Sequence, residues 1–263
     1  ADIRNILERA SARETAVRVA VGAVAQEYLR AFDILVQGQV CAIGPVKSKA
    51  IPRIQPDSLF ETPLYCPSPK ATEAMLQAIA AAEAQGDTLG GVVTVVAEGL
   101  PYGLGSHVQS DRRLDGRLAQ ALMSIQAVKA VEIGLGMEAA YLPGSEVQDE
   151  IAYSEKKGYY HKTNNAGGIE GGITNGETLI VRAAVKPIPT LAKPLNSVDM
   201  DTKESSRAAY ERSDVCAVPA AAIVAQAAVA WVLAGAVAEK FGGDHIDEGL
   251  DNYRRYLAYL ATR

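Results

Sequence analysis

Cysteine, histidine and large aromatic rings are all scarce in this chain: its 263 residues include 3 Cys, 3 His, 1 Trp and 3 Phe. Cys41, Cys66 and Cys216 are odd in number and far apart, with no C-x-x-C pair, so neither a disulfide framework nor a zinc site is expected. Reduced thiols in a cytoplasmic protein fit better. Long runs of like charge are also missing. With 26 Lys and Arg against 31 Asp and Glu the net charge is −5, so general attraction to nucleic acid or to an anionic membrane is not expected. An anionic ligand would have to be held by locally gathered cations. The start, Ala1-Asp2-Ile3-Arg4, shows no signal-peptide pattern and no initiator Met, so processing or truncation is expected. No Pro- or Ser-rich linker divides the chain, and a single α/β domain over 1–263 is the simplest organisation.

Glycine, by contrast, is concentrated. The stretch Asn164-Asn165-Ala166-Gly167-Gly168-Ile169-Glu170-Gly171-Gly172-Ile173-Thr174-Asn175-Gly176 places five glycines in ten residues, 167–176. Backbone without Cβ atoms can approach a flat or phosphorylated ligand closely, although an ordinary Gly-rich hairpin loop has the same composition. Neither a G-x-G-x-x-G fingerprint nor a Walker loop is present, which weakens a nicotinamide-oxidoreductase reading. Leu179 to Val185 then reads as a buried strand. It delivers Lys186 into Pro187-Ile188-Pro189-Thr190, where the prolines fix two φ angles and stiffen the exit.

Along the rest of the chain, Ser11-Ala12-Arg13-Glu14 has the form of a capping box, and Val17, Val21, Val24 and Tyr28 follow on one helical face. Strands are expected over Ile34–Ile43, Gly91–Ala97 and Val128–Ile133, and an irregular loop over Pro45–Pro63. Helices are expected from Ser68 to Gly86, from Leu118 to Ile125, from Pro219 to Lys240 and from Asp247 to Thr262. The Pro219–Lys240 helix is long and nearly uncharged, yet it is built mainly of Ala, contains Gln226 and ends in Glu239-Lys240. A helix buried against a sheet is the better reading than a membrane span. A doubly wound parallel sheet and a mixed, largely antiparallel α/β sandwich both remain open on spacing alone.

Three motifs occur in one order: Arg9-Ala10-Ser11-Ala12-Arg13-Glu14-Thr15, the glycine stretch from Asn164, and Arg212-Ser213-Asp214-Val215-Cys216-Ala217-Val218-Pro219. With Leu122-Met123-Ser124-Ile125, Val128 to Gly134 and the Lys186-Pro187 turn, they closely resemble the chorismate synthase family over nearly the whole chain. The resemblance implies a β-α-β sandwich, a homotetramer, and anti 1,4-elimination of phosphate from 5-enolpyruvylshikimate 3-phosphate with reduced FMN. NADPH is implied as a possible source of electrons for the flavin. By the same resemblance, Arg9-Ala10-Ser11, Asn165-Ala166, Gly171, Lys186 through Thr190 (Lys186, Pro187, Ile188, Pro189, Thr190) and Arg212 contact the flavin. Asp214 is the implied proton acceptor, and Arg13 meets a substrate carboxylate or phosphate. Without the family, Arg212 and Asp214 read as a surface ion pair at a helix start, and the asparagines as turn residues.

Family members usually carry a preceding segment of more than a hundred residues with two functional histidines, and the resemblance covers only the last two thirds. His107, His161 and His245 match neither histidine and are expected to be ordinary surface or loop residues. Gln226 stands where the family motif usually has Glu. The expectation is therefore a truncated chain that turns over poorly, the alternative being one that only binds flavin, or nothing.

Overall fold

The computed structural model describes residues 3–51, 59–155, 158–210 and 213–262. Its centre is a five-stranded antiparallel sheet with strand order β2-β1-β3-β9-β4. These strands are β1 (Leu35–Ile43), β2 (Val46–Lys47), β3 (Gly91–Glu98), β4 (Val128–Ile133) and β9 (Leu179–Val185). Three two-stranded hairpins lie outside the sheet: β5 (Ile151–Ser154) with β6 (Gly158–His161), β7 (Ile169–Glu170) with β8 (Ile173–Thr174), and β10 (Asn196–Val198) with β11 (Ser205–Arg207). The open question of sheet type is settled in favour of the antiparallel arrangement.

The helices are α1 (Ile3–Ala10), α2 (Thr15–Arg30), α3 (Pro69–Ala84), α4 (Leu114–Met123), the one-turn α5 (Gly144–Val147), α6 (Val218–Phe241) and α7 (Ile246–Ala261). Sequence chemistry accounts for the ends of α3. The Ser68 hydroxyl accepts from the Ala71 amide, Pro69 occupies the first turn, and Gly86 just beyond the end takes φ 66°. The expected Leu118–Ile125 helix begins four residues earlier and ends two earlier, because Leu114, Leu118 and Leu122 together form its buried face.

β9 alternates Leu179, Val181, Ala183 and Val185 inward with half-buried residues between them. Those inward side chains join Val93, Val95 and Ala97 of β3 in the core beneath α6. The apolar α6 is mostly buried, packed between α2, α4 and the sheet. It is the core helix that its alanine content suggests.

The burial of α2 runs opposite to the expectation. Its buried residues are Gly22, Ala25 and Leu29, whereas Val17 and Val24 are 67% and 71% exposed. The reason lies in the partner. The alanines of α6 let backbones approach closely, so the small-residue stripe of α2 docks and the larger valines are left outside with Trp231. Leu257, expected on the inner side of α7, is likewise 39% exposed, while Tyr253 is buried.

Candidate active site

Two of the three motif segments gather where β9 ends. Val185 is the last buried residue of the strand, and the exposed Lys186 leads into Pro187-Ile188-Pro189-Thr190. Two prolines stiffen this exit and remove two donors, so its remaining polar groups bond to neighbours. The Lys186 amide donates to the Ala127 carbonyl oxygen at 2.9 Å. The Thr88 hydroxyl donates to the Ile188 carbonyl at 2.7 Å, and the Ser213 hydroxyl donates to that of Thr190 at 3.2 Å. That last bond brings the exposed Asp214, next in sequence to Ser213, beside the proline exit. The Leu89 amide anchors the same segment by donating to the Val215 carbonyl at 2.9 Å. Arg212 lies outside the described residues.

The first motif reaches this corner through Gln126 and Ala127. Gln126 Nε2 donates to Glu14 Oε1 at 2.9 Å, and Arg18 Nε donates to Glu14 Oε2 at 2.8 Å. Arg18 Nη1 also donates to Ser124 Oγ at 2.7 Å. The Arg18 guanidinium first, and Gln126 second, hold the Glu14 carboxyl below the usual carboxylate range. The capping box expected from Ser11 and Glu14 does not form. Ser11 Oγ accepts from the Arg13 amide at 3.3 Å, because the Glu14 carboxylate is drawn across to Arg18 and Gln126. Ala127 has φ 68°, a left-handed conformation that costs an alanine about 1–2 kcal/mol and marks a turn held in place by its contacts.

Between α2 and this turn lies a cleft of about 750 Å³ walled by Arg9, Arg18, Ser124, Gln126 and Trp231. Glu14 also lines the cleft and is paired with Arg18, so the Arg9 guanidinium is the group here that suits a phosphate or a carboxylate. Ala10, the exposed last residue of α1, stands between Arg9 and the cap residue Ser11. Arg13 is exposed and forms an ion pair with Glu8, so its charge is met by α1.

The glycine stretch is placed elsewhere. Asn164 Nδ2 donates to the Thr178 carbonyl at 2.7 Å, and the Ile180 amide donates to Gly167 at 3.1 Å, both at the start of β9. The amides of Asn165 and Ala166 donate to the Asp149 carboxylate at 2.7 and 2.9 Å. Gly171, in the turn between β7 and β8, has φ 60° and open space where a Cβ would stand. Its neighbour Gly172 accepts from the amide of Leu114, the first residue of α4, whereas Ser124 to Ala127 follow the last. The two groups are thus separated by the lengths of both α4 and β9, and a seven-residue strand spans about 20 Å. The expected convergence of Gly171 with Lys186 and Asp214 is not met within one chain. A central strand carries loops at both ends, and these residues follow opposite ends of the same one.

Gln126 and Ala127 are the site residues that the sequence reading passed over. They are the last two residues of the four-residue link 124–127 between α4 and β4, where turn chemistry is needed and no glycine supplies it. None of the histidines is at this corner. His161 has its Nδ1 3.4 Å from Glu177, His245 caps α7, and His107 is exposed.

Comparison with known proteins follows the same lines. The chorismate synthase family model matches residues 1–238. The chorismate synthase of Moorella thermoacetica is 62% identical over 265 residues, covering 98% of this chain and 68% of that protein. The chorismate synthase of Geobacter sulfurreducens is 57% identical over 270 residues, with the same coverage of 98% and 68%. A chorismate synthase crystal structure superposes with a TM-score of 0.85 at 44% identity, covering all of this chain and 74% of the other. With the three motif segments in family order and two of them joined at the end of β9, the chain belongs to the chorismate synthase family.

Proposed function

We propose that the chain acts in the elimination of phosphate from 5-enolpyruvylshikimate 3-phosphate to give chorismate, a step of the shikimate route to aromatic amino acids, with reduced FMN held at the end of β9. The observation that carries this reading is the joining of separate family segments there: Lys186 to Ala127, Thr190 to Ser213, and Gln126 to Glu14. The donor set suits the flavin. Arg9 offers a guanidinium group to a phosphate, Lys186 adds an ammonium, and the proline exit presents stiffened backbone.

Bound FMN supplies electron density to the allylic system as phosphate departs. The chain's own residues place the rest. The C–O bond to phosphate breaks, and the cations meet the charge that develops on the leaving group. The Asp214 carboxylate takes the proton from the C–H bond that breaks, and that bond's electron pair enters the new diene with no net oxidation. In the full-length protein NADPH is the proposed electron source for the flavin, the assembly is a homotetramer, and the setting is cytoplasmic. Gly171 and Asn165-Ala166 contribute from the far end of the sheet through another copy or not at all. None of the three histidines stands at the corner, so the described residues bring no imidazole to it as a proton donor.

The test is a titration of FMN into the protein, followed by quenching of flavin fluorescence, with anaerobic phosphate release measured on the same samples. Saturable quenching that K186A weakens at least about tenfold supports the flavin site, as expected for loss of a charged contact. Quenching without phosphate release supports a flavin binder that does not catalyse. Absence of both refutes the reading.

A further inference from the structure

We infer that Glu14 is a positioning residue for this corner: its carboxylate fixes the Gln126-Ala127 turn on which Lys186 is seated. The functional consequence rests on the flavin reading above, while the contacts stand without it. α2 and α4 face each other across the open cleft, and Glu14 with Arg18 bridges it at the end nearest Lys186. An ionised carboxylate only accepts, and here its two oxygens are engaged separately, one by Gln126 Nε2 at 2.9 Å and the other by Arg18 Nε at 2.8 Å. Arg18 extends the brace to Ser124 Oγ. A bare carboxylate in a cleft suited to phosphate would repel its ligand. With both oxygens engaged and a guanidinium alongside, Glu14 is suited to holding protein, not ligand.

What it holds needs holding. Ala127 is in left-handed backbone, and its carbonyl is the acceptor for the Lys186 amide at 2.9 Å. Glu14 grips Gln126, the residue before it. Released from that grip, the turn can relax toward ordinary dihedrals and take the Lys186 acceptor with it.

The experiment measures amide hydrogen exchange at Lys186, with Val181 in the middle of β9 as internal reference, and FMN affinity by fluorescence quenching. For E14A we expect exchange at Lys186 to quicken and FMN affinity to fall, each by about tenfold, with Val181 unchanged. E14Q keeps one acceptor oxygen and recovers part of both losses. A merely structural role would move Val181 together with Lys186. A folded E14A with wild-type exchange at Lys186 overturns the inference. Should the wild-type chain bind no FMN, the flavin reading fails and exchange at Lys186 still decides the role of Glu14. Should E14A not fold, Q126A removes only the far end of the bridge and is judged by the same outcomes.

Discussion

A Cβ built on Gly22 would stand 2.3 Å from the Cβ of Ala227 and 2.5 Å from its Cα. At that point α2 and α6 meet backbone to backbone, with no room for a methyl group. G22A should therefore destabilise the protein by about 1–3 kcal/mol through overpacking. Alanine's better helix propensity, worth about 1 kcal/mol, works the other way and is outweighed. Urea unfolding measures the difference. A variant as stable as its parent would mean that the two helices do not dock at this pair.

The other face of α2 gives the opposite expectation. Val24 is 71% exposed, so V24S should change stability by no more than about 0.5 kcal/mol despite its place in an apolar stripe. Leu29 is fully buried on the docked face, and L29A should cost about 2–5 kcal/mol. Trp231, the single tryptophan, is 59% exposed beside these valines and should be readily quenched by acrylamide. Equal losses for V24S and L29A, with a protected tryptophan, would reverse the assignment of faces.

These two faces show what the sequence makes legible and where it stops. The expected strands over Ile34–Ile43, Gly91–Ala97, Val128–Ile133 and Leu179–Val185 all appear in the sheet, because β-branched runs bounded by breakers leave few alternatives. Hydrophobic periodicity, however, identifies an apolar face without identifying its partner. For α2 the partner is an alanine-rich helix that rewards small residues over large ones, which periodicity cannot report. The corner at the end of β9 was half legible. Lys186 to Thr190 and Asp214 stand out by composition and family motif, whereas Gln126 and Ala127 matter through backbone geometry that only tertiary contacts impose. Asn165, Ala166 and Gly171 were joined to the corner by motif order, and order in sequence does not say which end of a strand a loop occupies.

Gln226 carries a third prediction. Its Oε1 accepts from the buried Gly38 amide at 2.8 Å, and its Nε2 donates to Gln26 Oε1 at 2.7 Å. Q226A strips the buried Gly38 amide of its acceptor and should cost about 1–3 kcal/mol. Q226E restores that acceptor, and the Gln26 amide can turn its NH₂ toward the new carboxylate at the expense of its long 3.4 Å bond to the Gly22 carbonyl. It should therefore be the milder change in thermal unfolding. The reverse order would show that placing a charge at this buried position costs more than leaving the Gly38 amide without its acceptor.

Asp149 sets the acid limit of the glycine stretch. Burial alone would push its carboxyl up, but the amide of Ala166, the hydroxyl of Thr163 and the amide of Asn165 together outweigh that, so it titrates below the usual aspartate range. The unfolded chain binds this proton near pH 4, at about 3.9, and the folded chain only at lower pH. The resulting stabilisation is present above the unfolded value and is lost as pH falls through the folded one. D149N lacks it at every pH. Its deficit relative to wild type should be largest near neutrality and shrink below about pH 4, as the wild-type carboxylate takes up its proton. Unfolding free energies of the two proteins measured across that range test this, and a deficit that stays constant into acid would mean that the three donors do not depend on the charge of Asp149.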